Sequence, residues 1–276
     1  MLNNNGLQFK MILVDLDGTL LTDEKKIGNS DMQTLQILGT LNVIRVFATG
    51  RNLYSALGIL PNDTPFDYLV FSSGAGIMEW KNKEILFESA IEKEIVINVE
   101  KTLKELELNF SVHFPIPDNH KYYYYKGNNS LTDFDERNFH YKGFSFELIN
   151  GFPLDRATQF IVILKHESEF EFVASKIKDL KIIRATSPID GKSVWLEIFN
   201  QNVSKALGGS FLCNKLNISR AETIGIGNDY NDIDLLNWAG NSYIVENAPQ
   251  ILKQKYNPCV SNQNNPLTMV VSKYLS

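Results

Sequence analysis

The chain alternates short, wholly apolar runs with longer amphipathic segments. Apolar runs at residues 10–14, 43–48 and 68–71 have the length and the branched and aromatic content that are typical of buried strands. Between them, residues 29–41 carry a methionine and leucines at helical spacing, and residues 52–60 show a similar pattern. This β-α-β-α-β order predicts a parallel sheet with helices on both faces.

The middle of the chain breaks this alternation. The predicted elements there are a hairpin at 78–88, helices at 92–108 and 168–180, and strands at 110–114, 122–125, 159–164, 182–186 and 194–199. Residues 120–137 are polar and aromatic without clear periodicity, so a loop is predicted there outside the short strand. The alternating pattern returns from residue 204.

We therefore predict an α/β fold with one interrupted core. Residues 1–83 and 190–276 are expected to form a doubly wound, parallel, Rossmann-like sheet. Residues 84–189 are expected to form an inserted α+β domain, since about a hundred residues suffice for a small domain.

Composition narrows the class of protein. The 276 residues are 43% hydrophobic and 21% charged, as in an ordinary globular chain, and the net charge of −5 argues against a nucleic-acid partner. The first residues lack the pattern of a signal peptide, and no apolar run approaches the roughly 20 residues that span a bilayer. We expect a cytoplasmic protein with no membrane partner, whose two cysteines, Cys213 and Cys259, are reduced.

Reactive side chains lie where predicted strands end. Asp15 and Asp17 follow the first strand, and Thr49 follows the second. Lys205 begins a predicted helix, and a run of polar residues at 227–232 follows a later strand. Ligands of open parallel sheets bind at the carboxyl ends of the strands, so we expect these four segments to meet.

Two neighbouring carboxylates at the end of an apolar strand are unfavourable unless something compensates their charge. Asp15 and Asp17 would repel each other unless a cation relieves the repulsion, and Mg²⁺ is bound by one or two carboxylates together with water and phosphate. The alternative is that the two aspartates only turn a loop, since Asp-Gly is a common turn pair.

Four motifs in order carry a family resemblance. With DLDGTL at 15–20, ATGR at 48–51, the helix-opening Lys205 and GNDYND at 227–232, the chain resembles the haloacid dehalogenase-like (HAD) phosphatases. It is most similar to their Cof-type branch, in which a large α/β cap lies between the second and third motifs. Over the inserted segment the resemblance is one of size and element order only.

The resemblance implies a role for each matching residue. Asp15 would be the nucleophile that forms an aspartyl phosphate, while Asp17 would protonate the leaving oxygen, deprotonate the incoming water and bind the metal through its backbone carbonyl. Thr49 and Lys205 would neutralise the transferring phosphoryl group. The substrate-binding residues implied are Leu16, Gly18, Gly50, Arg51 and Asn231.

Simpler interpretations of three of these side chains stay open. Lys205 would be an exposed helix lysine, as most lysines are. The Thr49 hydroxyl would bond its own backbone at the end of the strand. Arg51 would face either the cap or solvent.

The implied cofactor is Mg²⁺, and the implied ligands are Asp15, Asp17, Asn228, Asp229 and Asp232. The family usually reads Gly-Asp-x-x-Asn-Asp where this chain reads Gly-Asn-Asp-Tyr-Asn-Asp, so Asn228 occupies the position of a metal-binding carboxylate. We expect the Asn228 oxygen to bind the metal and Asp232 to orient a metal-bound water, with Asp229 as the alternative ligand.

Two further positions compare with the family. Ser73 stands where the branch commonly has asparagine. Asn247 matches a family asparagine near the edge of the active site, although a helix N-cap explains it equally well.

These features together predict an Mg²⁺-dependent phosphatase of small phosphorylated metabolites, with sugar phosphates as the favoured class. The alternatives are a phosphomutase or phosphotransferase, and a binding protein of the same fold that has lost turnover. The predicted partner is the small substrate alone, and the predicted assembly is a monomer or weak homodimer.

Overall fold

The computed structural model describes residues 8–128, 131–187 and 189–275, and it divides into two units. The first unit comprises Met1–Phe87 and Ser204–Ser276, and the second comprises Glu88–Val203. The strands are β1 (Met11–Val14), β2 (Ile44–Ala48), β3 (Tyr68–Phe71), β4 (Gly76–Glu79), β5 (Glu84–Glu88), β6 (Ile91–Glu92), β7 (Phe110–His113), β8 (Tyr122–Tyr125), β9 (Ser145–Glu147), β10 (Arg156–Ala157), β11 (Phe160–Leu164), β12 (Leu180–Thr186), β13 (Val194–Asn200), β14 (Thr223–Gly227), β15 (Asn241–Ile244) and β16 (Asn257–Pro258). The helices are α1 (Asn29–Thr40), α2 (Leu53–Ile59), α3 (Lys93–Glu105), α4 (Thr132–His140), α5 (Phe170–Lys176), α6 (Lys205–Leu216), α7 (Ile233–Trp238), α8 (Gln250–Lys253) and α9 (Pro266–Ser272).

The first unit is built on an eight-stranded sheet in the order β16-β15-β14-β1-β2-β3-β4-β5. Strand β1 pairs in parallel with β14 on one side and with β2 on the other. Every residue of β1 is buried, because helices cover both faces of a parallel sheet. Met11 and Leu13 pack with Leu212 of α6 and Leu235 of α7 in one cluster. The predicted parallel α/β core is confirmed.

The second unit has a six-stranded sheet in the order β12-β13-β11-β7-β8-β9. Successive residues of β11 point to opposite faces. Phe160 and Val162 therefore join a cluster with residues of α3 and α5, whereas Ile161 and Ile163 pack with Phe134 of α4. A separate two-stranded sheet pairs β6 with β10.

The loop predicted at 120–137 is wrong in part, because α4 begins inside it. Of the three buried residues of α4, only Phe134 is apolar; Asp133 and Arg137 are the others. The Asp133 carboxylate accepts hydrogen bonds from Trp195 Nε1 and from Ser187 Oγ, both at 2.6 Å. A helix whose buried face is largely polar lacks the apolar periodicity by which helices are recognised in a sequence.

The boundaries of the two units differ from the predicted ones at 84 and 190. Strand β5 lies in the sheet of the first unit, which moves the first crossing to Phe87 and Glu88. Strand β13 pairs with β11 and β12 in the second unit, so the second crossing falls between Val203 and Ser204.

Within the described ranges, none of the helices combines the length and the apolar character that crossing a membrane would need. Cys213 and Cys259 are both free thiols, as the sequence predicts, and both are buried.

Candidate active site

The candidate site lies at the carboxyl ends of three adjacent strands. Strand β1 sits between β14 and β2, so the chain leaves it at the point where the strand order reverses. Crevices form at such switch points in doubly wound sheets. Asp15 follows β1, Thr49 follows β2, and Asn228 follows β14.

Lys205 joins two carboxylates in the interior. Its Nζ lies 2.7 Å from Asp15 Oδ1 and 2.6 Å from Asp232 Oδ1, and its side chain is fully buried. Ser204 begins α6 by accepting a hydrogen bond from the Leu207 amide, which places Lys205 on the first turn. The exposed-lysine interpretation is therefore wrong.

Burial and neighbouring charges shift the pKa values of two members of this triad, Asp15 and Lys205. Burial, followed by the negative charge of Asp232, raises the pKa of Asp15, although Lys205 opposes the rise. Burial alone would lower the pKa of Lys205, but the charges of Asp15 and Asp232 outweigh it and raise the pKa. We conclude that Lys205 is an ammonium ion, because two carboxylates share it.

Only one of the two carboxylate oxygens of Asp15 has a hydrogen-bond partner among the described residues. Its Oδ1 is bound by Lys205, whereas Oδ2 is buried and has no hydrogen-bond partner among the described residues. Leaving a buried acceptor unpaired costs about 1–3 kcal/mol, so such atoms in native structures commonly serve a ligand or a reaction.

Asp17 is bound by two cations. Arg51 donates to it twice, from Nε to Oδ2 at 2.6 Å and from Nη2 to Oδ1 at 2.8 Å, and Lys25 Nζ lies 3.0 Å from Oδ1. The two interpretations of Arg51 from the sequence have it face either the cap or solvent, and neither alternative includes its contact with Asp17. Burial would raise the pKa of Asp17, but the hydrogen bond and charge of Arg51, with those of Lys25, bring it below its ordinary value.

Thr49 is buried and part of its hydroxyl's capacity is used locally. Its Oγ1 accepts a hydrogen bond from the Arg51 amide at 3.1 Å, and its carbonyl accepts one from the Ser73 amide at 3.0 Å. The interpretation as a backbone-bonded hydroxyl thus describes the structure. The hydroxyl hydrogen remains a donor, so the predicted contact with phosphate stays a prediction.

Asp232 organises the loop after β14. Its Oδ2 accepts hydrogen bonds from the amides of Asn228 at 2.8 Å and Asp229 at 3.1 Å, while Oδ1 binds Lys205. The Asp229 side chain in turn accepts from the Asp232 amide. Both carboxylate oxygens of Asp232 are therefore occupied by contacts within the protein.

Gly18 allows the loop after β1 to pass close to Asn228. Its φ is +73°, and a Cβ at this position would lie 2.5 Å from Asn228 Nδ2. A side chain would therefore be strained and would collide. The backbone carbonyl of Gly18 accepts a hydrogen bond from Asn247 Nδ2 at 2.8 Å. The N-cap interpretation of Asn247 is wrong, since Pro249 precedes α8.

Gly50 brings two further predicted residues together. A Cβ on Gly50 would meet Asn231 Nδ2 at 3.3 Å and Ser73 Oγ at 3.5 Å. Ser73 adopts a left-handed conformation with φ +55°. Non-glycine residues held in this region commonly mark functional sites. Leu16 lies inside the loop after β1, where its carbonyl accepts from the Leu21 amide at 2.9 Å.

Sequence reasoning missed Lys25 and Asn262. Lys25 lies in a turn with φ +60°, and an exposed lysine eight positions beyond Asp17 carries no signal. Asn262 donates to the Leu21 carbonyl at 3.1 Å from 241 residues away. No motif connects residues so distant in the chain.

The metal ligands predicted from the resemblance stay predictions. Among the described residues, no three His, Cys, Asp or Glu side chains are grouped as a metal site. Asp17, Asp229 and Asp232 direct side-chain oxygens to protein donors, and Asn228 replaces a carboxylate.

The sequence of this chain matches a known family and individual proteins. A family model described as haloacid dehalogenase-like hydrolase matches residues 12–270. A putative phosphatase of Haemophilus influenzae is 27% identical over 253 residues, which cover 90% of this chain and 89% of the relative. An HMP-PP phosphatase of Yersinia pseudotuberculosis is 24% identical and covers 90% and 87% of the two chains.

Solved structures share the fold at lower identity. A phosphatase of the haloalkanoate (HAD) enzyme superfamily from Bacteroides thetaiotaomicron has a TM-score of 0.79 at 19% identity, covering 96% of this chain and 95% of its own. A protein from Streptococcus mutans gives 0.78 at 22% identity, with 97% and 99% covered. A structure described as a HAD subclass IIB sugar phosphatase gives 0.76 at 18%, with 96% and 98% covered.

Proposed function

This chain belongs to the haloacid dehalogenase-like hydrolases and is a phosphatase of that superfamily, and we propose that it hydrolyses small phosphate monoesters through a phosphorylated Asp15. The observation that carries the proposal is the buried Asp15–Lys205–Asp232 triad. A lysine held by two carboxylates keeps its charge and its place, which suits it to neutralise a transferring phosphoryl group.

The first chemical step is attack by Asp15 on phosphorus. An Asp15 oxygen forms a bond to phosphorus while the ester P–O bond breaks, and the leaving alkoxide takes a proton. Lys205 and the Thr49 hydroxyl are the donors that we assign to the phosphoryl oxygens. The Asp15 Oδ2 atom, which has no partner in the described protein, supports this assignment.

Asp17 is the group that we assign to proton transfer. It would give a proton to the leaving oxygen and later take one from the water that hydrolyses the aspartyl phosphate. In the structure the Asp17 carboxylate is bound by Arg51 and Lys25, which favour its ionised form and lower its pKa. Before it can donate a proton, these two cations must loosen their hold.

The residues present fit a magnesium ion. Oxygen donors suit Mg²⁺, which uses few protein carboxylates, and the Asn228 side chain lies against Gly18 in the loop that carries both aspartates. We propose that Asp15, the backbone carbonyl of Asp17 and the Asn228 side chain hold it. Asp229 is the alternative ligand, and Asp232 positions the loop. When bound, the ion would supply positive charge against the phosphate.

The substrate class proposed is that of sugar phosphates. The proposal rests on the resemblance to the Cof-type branch, although the named relatives include HMP-PP phosphatases. We further propose a cytoplasmic location.

A phosphate-release assay tests the function. Purified protein is incubated with a panel of phosphorylated metabolites that includes sugar phosphates, in Mg²⁺ or in EDTA, and both free phosphate and rearranged isomers are measured. We expect Mg²⁺-dependent release that Asp15→Asn abolishes. The matched control is Asp63→Asn, because Asp63 is exposed.

The alternatives give different results. Isomers without free phosphate would identify a mutase. Equal activity of wild type and Asp15→Asn, or no product from wild type, would contradict the proposal. Thermal unfolding of each variant shows whether a loss of activity reflects loss of fold.

A further inference from the structure

The loop after β1, residues 15–21, is called the reacting loop. It satisfies part of its backbone itself: the Leu20 amide donates to the Asp15 carbonyl at 3.1 Å, and the Leu21 amide donates to the Leu16 carbonyl at 2.9 Å. These bonds leave the middle of the loop, at Gly18, to be held from outside.

Asn247 holds the middle of the reacting loop. Its Nδ2 donates to the Gly18 carbonyl at 2.8 Å, and its Oδ1 accepts from the Asn262 amide at 3.0 Å. An asparagine whose amide is engaged at both ends has its rotamer and its donor direction fixed.

Asn262 holds the end of the reacting loop. It is 5% exposed, and its Nδ2 donates to the Leu21 carbonyl and to Asp23 Oδ1, both at 3.1 Å. Leu21 in turn forms isolated backbone β-bridges with Asp17 and with Ile27. Asn262 thus supports the base of the turn from which Lys25 reaches Asp17.

We propose that Asn247 and Asn262, the amide clasp, are positioning residues for phosphoryl transfer. Neither side chain is bonded to the side chain of Asp15, Asp17 or Lys205 in the structure. They act through the backbone that follows Asp17, at Gly18 and at Leu21, and this backbone helps to fix where the two reacting carboxylates point. The proposal rests on the proposed function, in which Asp15 attacks and Asp17 transfers the proton.

The clasp should affect turnover more than binding. Loosening the reacting loop displaces both carboxylates, and a misplacement of about 1 Å can cost roughly a hundredfold in rate. Lys205 and Thr49 stay in place because other elements hold them. We therefore expect kcat to fall while KM changes little.

Asn247→Asp isolates the donor. It has the size of asparagine and keeps an oxygen for the Asn262 amide, but it replaces the donor to Gly18 with a second acceptor. The matched control is Asn257→Asp: the exposed Asn257 also donates from Nδ2 to a backbone carbonyl, that of Ser242 at 3.1 Å, and the charge change is the same. Asn262→Ala removes the side-chain donor to the Leu21 carbonyl and so tests the other residue of the clasp.

Steady-state kinetics with Mg²⁺ and a substrate found in the metabolite panel decide the proposal. We expect Asn247→Asp to lower kcat roughly tenfold or more, with KM within about threefold and Asn257→Asp equal to wild type. Unchanged kcat in Asn247→Asp, a loss confined to KM, or an equal loss in the control would overturn it.

Hydrogen–deuterium exchange separates this proposal from the function itself. If wild type released no phosphate, the proposed function would fail, and the clasp would still be decided by exchange. Faster exchange at residues 16–21 in Asn247→Asp than in Asn257→Asp would support it, and equal exchange would refute it.

Discussion

The Arg51 guanidinium binds the Asp17 carboxylate through two hydrogen bonds, with Nε 2.6 Å from Oδ2 and Nη2 2.8 Å from Oδ1. Such two-point contacts are among the stronger side-chain interactions because both planar groups match in shape. Arg51 is itself anchored to α2, where Nη1 donates to Ser55 Oγ at 2.8 Å. The pair therefore ties the loop after β1 to the loop after β2.

Arg51→Ala should destabilise the first unit at neutral pH. Asp17 has a depressed pKa in the fold, so the pair stabilises the fold fully above the pKa of about 3.9 of an unfolded aspartate, and this stabilisation is lost as the pH falls through the folded value. We expect a loss of about 1–3 kcal/mol at pH 7 that shrinks below about pH 4, measured by urea unfolding. Arg156→Ala, which removes an exposed ion pair with Glu88, should cost little.

Lys205→Met should be among the most destabilising single changes. It leaves Asp15 and Asp232 as two buried carboxylates without their shared cation. Breaking a buried ion pair from one side costs about 3–5 kcal/mol. Chemical denaturation at pH 7 measures this, with Lys215→Met on the exposed face of the same helix as the control. Equal midpoints for the two variants would contradict the burial of the Lys205 charge.

Asn228→Asp should strengthen magnesium binding. The substitution adds a negative charge at the position that we propose as a metal ligand, and oxygen sites bind divalent cations more tightly as their charge rises. We expect a larger Mg²⁺-induced rise in melting temperature than in wild type, and a lower melting temperature in EDTA. Asn214→Asp, on exposed α6 surface, should show the wild-type response. An unchanged Mg²⁺ response would remove Asn228 from the proposed ligands.

His113→Gln should flatten the acid dependence of stability. Burial and the charge of Arg137 hold the pKa of His113 well below its ordinary value, so the folded state keeps it neutral. Below about pH 6.5 the unfolded chain binds a proton that the fold does not, and stability falls as the pH falls, by at most about 1.4 kcal/mol per pH unit. Urea unfolding between pH 7.5 and 5.5 measures the slope. The exposed His140→Gln should retain the wild-type slope.

The sequence predicts the parts of the site that depend on local pattern. Asp15 and Thr49 end apolar strands, and such ends meet at one edge of a parallel sheet, so their convergence follows from the order of the elements. The burial of Lys205 follows less directly, because only the motif context distinguishes it from a surface lysine. The parallel core is predictable for the same local reasons.

What the sequence misses depends on tertiary partners. Arg51 pairs with Asp17, 34 residues away, and nothing in the intervening sequence specifies this contact. The buried face of α4 cannot be recognised from the sequence because it includes the polar residues Asp133 and Arg137. These two are satisfied by hydrogen bonds with Trp195 on β13 and Ser111 on β7. Buried polar groups need hydrogen-bond partners, and the order of residues in the sequence does not show which residues those partners are.

The separation of Asp15 and Lys205 by 190 residues has a consequence for biosynthesis. A growing polypeptide on the ribosome presents β1 with β2 long before β14 exists, so one edge of the central strand waits without its partner while Glu88–Val203 is translated. Unpaired strand edges invite association between chains. Prematurely terminated products that stop before β14 should therefore be catalytically inert and prone to aggregate.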